Sequence, residues 1–152
     1  MIDLDAVVRA YLSGTPARTT NAGAPGYGEP PLVSLVEERI YAGVDLPTGY
    51  NPDPNAPRDN ADEDRGSAIL FNVRAGPASR APLLYPTIQI RTYGMDEATA
   101  RSIDRAVFDH LHGCQSRDLK SVWLAIIGQL GRDPAPRSWP YVLSTYRAIT
   151  RA

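Results

Sequence analysis

Cysteine is almost absent from this sequence, which has a single one, Cys114, among 152 residues. One cysteine cannot form an intrachain disulfide, and it excludes zinc or iron–sulfur sites that need several thiolates. The simplest interpretation is a reduced, cytosolic chain without redox chemistry.

Long apolar runs and an excess of charge are also missing. No stretch is long and apolar enough to span a bilayer, and the start, MIDLDAVVRAYLSG, lacks the charged-then-apolar pattern of a signal peptide. The 16 basic and 17 acidic residues give a net charge of -1. This balance disfavours nonspecific binding to nucleic acid or to an anionic membrane. We therefore expect a soluble, unprocessed protein with no membrane partner.

The motifs of common enzyme classes are absent as well: there is no G-x-S-x-G, no P-loop, no dinucleotide-binding glycine pattern and no H-E-x-x-H. His110, His112 and Cys114 are close in sequence, but His110 and Cys114 share a helix face only if the helix continues through Gly113. A glycine at this position is typical of the end of a helix, so we do not expect the two side chains to share a face. We expect no catalytic residue, no metal site and no cofactor. A small enzyme or ligand-binding module using this segment is the less favoured alternative.

Apolar periodicity is present, and it predicts two helices. Leu4, Val7, Val8, Tyr11 and Leu12 have helical spacing, and Ser13-Gly14 ends this helix. The second helix begins at Asp96, a good N-cap, and ends near the capping Gly113. Its apolar stripe consists of Ala100, Ile103, Ala106, Val107, Phe108 and Leu111.

Alternating segments predict strands. The first alternates from Val36 to Tyr41 and ends at Gly43; the next cover AILFNVR at 68–74 and YPTIQIRTYG at 85–94. In the third, Thr87, Gln89, Arg91 and Tyr93 share one face. Two late strands are predicted in SVWLAIIG and WPYVLSTYRAIT. The order of elements predicts an α/β fold of the α+β kind, a single domain over 1–152 in which two helices pack on a mixed, mostly antiparallel sheet.

Two segments, 15–31 and 45–66, are predicted as extended loops. The second has four prolines, six acids and two arginines, from which we predict a long, mobile, acidic hairpin loop. Its acidic run 62–64 does not fit the calcium-binding loop pattern. Tyr27 and Tyr50 lie in these loops without apolar periodicity, so we expect them to contact another chain.

The order of segments resembles a known family. The segments that carry the likeness are VEERIYAGVDLPTGYNP, AILFNVRAG, APLLYPTIQIRTYGMDEATARSIDRAVFDHLHG and the closing WPYVLSTYRAIT. Together they are similar to the small tail terminator, or tail completion, proteins of long-tailed bacteriophages and prophages. The most specific part is the strand ending IRTYG, followed directly by a helix that starts with DEATA and ends with LHG. Both extended loops are longer than this resemblance leads us to expect.

The resemblance implies a structural virion protein without enzymatic activity. Such proteins form a hexameric ring at the head–tail junction, cap the tail tube, end its polymerisation and join it to the head connector, while genomic DNA passes through the lumen. The implied partners are further copies of the chain, the tail tube protein and the connector. Assembly would take place in the bacterial cytoplasm. A head-side neck or adaptor protein is the alternative.

The resemblance also suggests where contacts lie. We expect the acidic loop to face the tail tube or connector through Tyr50, Asp53, Asp59, Asp62, Glu63 and Asp64. Tyr27, in the 15–31 loop, is the further residue that we expect at a partner interface. We expect subunit contacts or the ring lumen to involve Arg74, Arg91, Tyr93 and Arg147. Deleting residues 51–65 should then leave the fold intact and abolish docking.

Overall fold

The computed structural model describes residues 3–13, 32–59, 63–74, 83–113 and 119–151. Three helices, α1 (Leu4–Ser13), α2 (Leu32–Val36) and α3 (Glu97–Leu111), pack against one curled sheet. The strands are β1 (Ile40–Ala42), β2 (Ala68–Arg74), β3 (Leu83–Leu84), β4 (Thr87–Tyr93), β5 (Leu119–Arg132) and β6 (Pro140–Arg151). The α+β fold class is therefore confirmed, as are both long helices, the strand over 68–74 and the strand predicted in YPTIQIRTYG, which covers Thr87–Tyr93.

The sheet has β2, β4 and β6 at its centre. β4 lies between β2 and β6 and is antiparallel to both, and β5 adds to the other side of β6. At the opposite edge the short β1 runs parallel to β2. The connection from β1 to β2 is therefore a crossover, because antiparallel neighbours are needed for a hairpin. The prediction of a hairpin loop over 45–66 is wrong.

The start of the predicted first strand is also wrong. Residues Leu32–Val36 form the short helix α2, which ends where Glu37 adopts a positive φ of 53°. The strand begins later, at Ile40. The predicted alternation started at Val36, which instead is the last residue of a short apolar helix, and a short apolar segment suits a helical turn as well as a strand.

Both ends of α3 have the capping residues that the sequence predicts. The Asp96 side chain accepts a hydrogen bond from the Thr99 amide at 2.7 Å, and this bond lowers the pKa of Asp96. At the other end Gly113 has a φ of 74°, and its amide donates to the Val122 carbonyl. The predicted N-cap is thus confirmed, and so is helix termination at Gly113.

The main core lies between the helices and one face of the sheet. Alternate residues of β2 and β4, such as Ile69, Phe71, Ile88 and Ile90, point to this side and are fully buried. They meet the apolar stripes of the helices, which include Val8, Leu12, Val36, Ile103, Val107 and Leu111. The intervening strand residues therefore lie on the opposite face, away from the described helices.

Candidate functional site: the face of the sheet opposite the helices

On the face of the sheet opposite the helices, called the open face below, the strand register aligns side chains of β2, β4, β6 and β5 in rows across the sheet. Its first row is Arg74, Thr87, Arg147 and Trp123, from β2, β4, β6 and β5 in that order. The third row contains Leu70, Arg91, Leu143 and Gln129, and the fourth contains Ala68, Tyr93, Tyr141 and Gly131. The four residues expected at subunit contacts or in a lumen, Arg74, Arg91, Tyr93 and Arg147, therefore share one face.

The charged residues that the described strands place on this face are basic, namely Arg74, Arg91 and Arg147. None of the described strands contains Asp or Glu, although Asp45 and Asp133 from neighbouring turns lie beside Arg91. Arg74 and Arg147 are exposed and form no ion pair with any described residue. Unpaired guanidinium groups on a polar and aromatic surface are suited to bind carboxylate or phosphate.

An aromatic cluster covers the other end of the open face. The Tyr50 ring packs edge to face against the rings of Tyr41 and Tyr93. It packs in the same way against Trp139, with 5.5 Å between ring centroids. The Tyr93 hydroxyl donates to Asp133 at 3.1 Å. Burial raises the pKa of Tyr93 to about 12, so this hydroxyl keeps its proton at physiological pH.

Tyr50 corrects the expectation of an exposed contact residue. Its side chain is only 4% exposed, and its hydroxyl donates to the Gly66 carbonyl at 2.7 Å. The pKa of Tyr50 is raised chiefly by this burial. The ring is therefore part of the second core cluster, together with Ala68, Leu70 and Tyr93, and it has no surface to offer a partner. Tyr27 lies outside the described residues.

The acidic loop is held by a buried arginine, Arg65, which no motif or periodicity in the sequence indicated. Its guanidinium donates to the carbonyls of Gly49, Asp64 and Pro57, and pairs with the Glu63 carboxylate at 2.6 Å. The prediction of a mobile loop is therefore wrong for the two parts of the loop that Arg65 joins, around Gly49 and around Glu63. Deletion of residues 51–65 would remove this anchor, so it is not a clean test of docking.

The acids of the loop fall into two groups. Glu63 is paired with Arg65, and Asp64 accepts a hydrogen bond from the Tyr41 hydroxyl at 2.6 Å. Asp59 is exposed and Asp53 is partly exposed, and Asp64 is also exposed although one of its carboxylate oxygens accepts from Tyr41. Asp62 lies outside the described residues. That these acids contact a tail tube or connector stays a prediction.

The two histidines have structural contacts. Nε2 of the buried His110 lies 2.8 Å from the Tyr11 carbonyl, and Nδ1 of His112 accepts the Leu124 amide at 3.0 Å. They tie α3 to α1 and to β5. Within the described residues no group of three His, Cys, Asp or Glu side chains could hold a metal ion. Cys114 lies outside those residues.

An open edge adjoins the open face. Among the described strands β5 pairs only with β6, and its ladder is interrupted between Leu124 and Ile126 and again before Gln129. Ile126 is 52% exposed and Ile127 is 77% exposed. A long edge strand with exposed apolar side chains is typical of a surface that another chain covers. The sequence marked this segment as apolar, but its place at the edge depends on strand order.

A shallow groove lies between the aromatic end and the turn after β5. It has a volume of about 420 Å³ and contains Arg91 and Arg137 as well as Asp45 and Asp133. Arg91 lies over the Tyr141 ring and Arg137 over the Trp139 ring, each at 4.9 Å. Because both charge signs line the groove, it defines no ligand class by itself.

Comparison with solved structures gives a likeness at the level of fold. The chain is similar to a chain of the virion of a native gene transfer agent particle, with a TM-score of 0.52 and 20% sequence identity. The likeness covers 88% of this chain and 99% of the other. No protein-family model and no curated protein matches the sequence. No helix within the described ranges is long and apolar enough to cross a membrane.

Proposed function

We propose that this chain is a structural protein of a phage-like virion, and specifically a tail terminator that forms a hexameric ring. The observation that carries the proposal is the fold shared with a chain of a gene transfer agent virion, which extends over nearly the whole of both chains. The order of segments, which resembles that of tail terminators, supports the finer assignment.

Two surface features support assembly with other chains. The edge of β5 exposes Ile126 and Ile127, which another protein surface can cover. The open face presents unpaired arginines at one end, and arginine is enriched where proteins meet. In this proposal six copies surround the channel for genomic DNA, cap the tail tube and join it to the connector at the head–tail junction.

Negative-stain electron microscopy of the purified chain, alone and mixed with tail tubes, tests the proposal. The expected result is a ring of six copies, or extra density at one end of each tube. Tubes incubated with buffer provide the matched control. A chain that stays monomeric and leaves tube ends bare would contradict the terminator assignment.

A parallel sample with isolated portal complexes distinguishes the head-side alternative. A terminator binds the tube end without the portal, whereas an adaptor binds the portal and ignores free tubes. Portal binding without tube binding would replace the terminator proposal by the adaptor, and both are structural roles in the virion.

A further inference from the structure

We propose that the open face binds the acidic loop of a second copy of this chain, so that neighbouring subunits associate head to tail. The contact joins the arginine row, defined as Arg74 and Arg147 on either side of Thr87, to the loop carboxylates of Asp53 and Asp59. The inference rests on the proposed ring and names the surfaces that close it. It assigns both acids to a neighbouring subunit instead of the tube or connector.

The distribution of charge along the chain is the first argument. The described strands contain no acid, whereas residues 45–66 contain six acids and two arginines. One of those arginines, Arg65, is neutralised within the loop by Glu63. The molecule therefore has a basic face and an acidic loop of opposite sign although its net charge is only -1.

The separation of these two surfaces is the second argument. The loop is anchored beside Tyr50 and Gly66, at the end of the sheet where Ala68 pairs with Tyr93. The arginine row lies six residues further along β2, which is roughly 20 Å at strand spacing. Between the loop anchor and the arginine row an attraction within one molecule is weak, because salt screens exposed charges over about 8 Å. A contact between different patches of two copies is heterologous, and such contacts generate a ring when the rotation between neighbours closes.

The surroundings of the row favour a protein partner. Trp123 pairs with Arg147 across the strands, and Leu143 lies on the same face of β6 as Arg147. Tryptophan and arginine together are typical of the buried centre of a protein interface. Nucleic acid is the other class of anionic ligand. It is disfavoured because two exposed arginines provide few phosphate contacts, and the acidic loop repels the backbone.

Charge reversal with complementation tests the contact in the full chain. R74E/R147E and D53K/D59K should each weaken association at least about tenfold, measured as a dissociation constant by analytical ultracentrifugation. Mixing the two variants, or combining all four substitutions in one chain, should restore rings, since opposite charges face each other again. R101E/R105E on α3 is the matched control, with the same change in net charge on exposed residues of the helix.

Folding of each variant is checked by its thermal unfolding midpoint. Asp53 accepts a hydrogen bond from the Asn55 amide, so D59K alone provides a second loop variant that spares this bond. Rings that tolerate the reversals would overturn the inference and leave the proposed function standing. R74E/R147E could also form intact rings but lose DNA binding, which fluorescence anisotropy measures. That result would assign the open face to nucleic acid. A chain that is monomeric even with tubes would overturn both.

Discussion

The two faces of the sheet come from the same strands but differ in composition at the end where the arginines lie. Phe71 and Asn72 are neighbours on β2, yet Phe71 is fully buried under the helices and Asn72 lies on the open face. On β6 the same alternation places Tyr146 in the core and Arg147 in solvent. A single residue step therefore separates residues that stabilise the fold from residues available to a partner.

A second difference separates two arginines of the same charge. Arg65 is buried and bonds to the carbonyls of its own loop, whereas Arg147 is exposed and unpaired among the described residues. Burial and contacts, rather than residue type, distinguish a structural arginine from one that can bind a partner. Stability measurements can test both differences.

The largest effect is expected from Phe71→Ala. Removing a fully buried ring leaves a cavity among the helices, which should lower the free energy of unfolding by about 4 kcal/mol. The neighbouring Asn72→Ala on the open face should change it by about 0.5 kcal/mol or less. Urea unfolding followed by circular dichroism measures both. Similar losses in the two variants would contradict the division between the faces.

Arg65→Ala should have the next largest effect. It leaves the Glu63 carboxylate and several loop carbonyls without their donor, and we expect a loss of about 3 kcal/mol. Arg147→Ala, the matched exposed arginine, should stay within about 0.5 kcal/mol of the parent. Urea unfolding again provides the measurement. An equally small effect at Arg65 would mean that the loop is held by something other than this side chain.

The order of residues in each strand was sufficient to predict which of them share a face. Alternation in β2 and β4 separates Ile69 and Ile88 from Arg74 and Arg91, because side chains of a strand point alternately to two sides. The caps of α3 were equally predictable from Asp96 and Gly113, since capping is a local interaction.

Long-range pairing was not predictable in the same way. Nothing local shows that β1 is parallel to β2, because that depends on where the intervening loop leads the chain. Tyr50 was misinterpreted for a related reason. It lies among Gly, Pro and Asn without periodicity, and its burial comes from Trp139 and Tyr93, which are more than 40 residues away. The arginine row likewise depends on the register of three strands.

The smallest predicted effect concerns a carboxylate on the helix-covered side, Asp104 of α3. It accepts a hydrogen bond from the Ser144 hydroxyl at 2.5 Å, and its burial raises the pKa of the carboxyl group. The folded state therefore holds this proton more tightly than the unfolded chain does. The stabilisation is complete below the pKa of the unfolded chain and is lost as the pH rises through the higher pKa of the folded state.

Asp104→Asn should accordingly be more stable than the parent above this pH range, by at most about 1 kcal/mol, because it keeps an acceptor for Ser144 without a partly buried charge. Free energies of unfolding for both proteins over a pH series measure the difference. Ser144→Ala is the companion variant. It removes the donor that favours the ionised form, so its deficit against the parent should grow with pH. Parallel pH profiles for the parent and Asp104→Asn would show that Asp104 is hydrated in solution, and the helix-covered face would then be less dry than its apolar residues indicate.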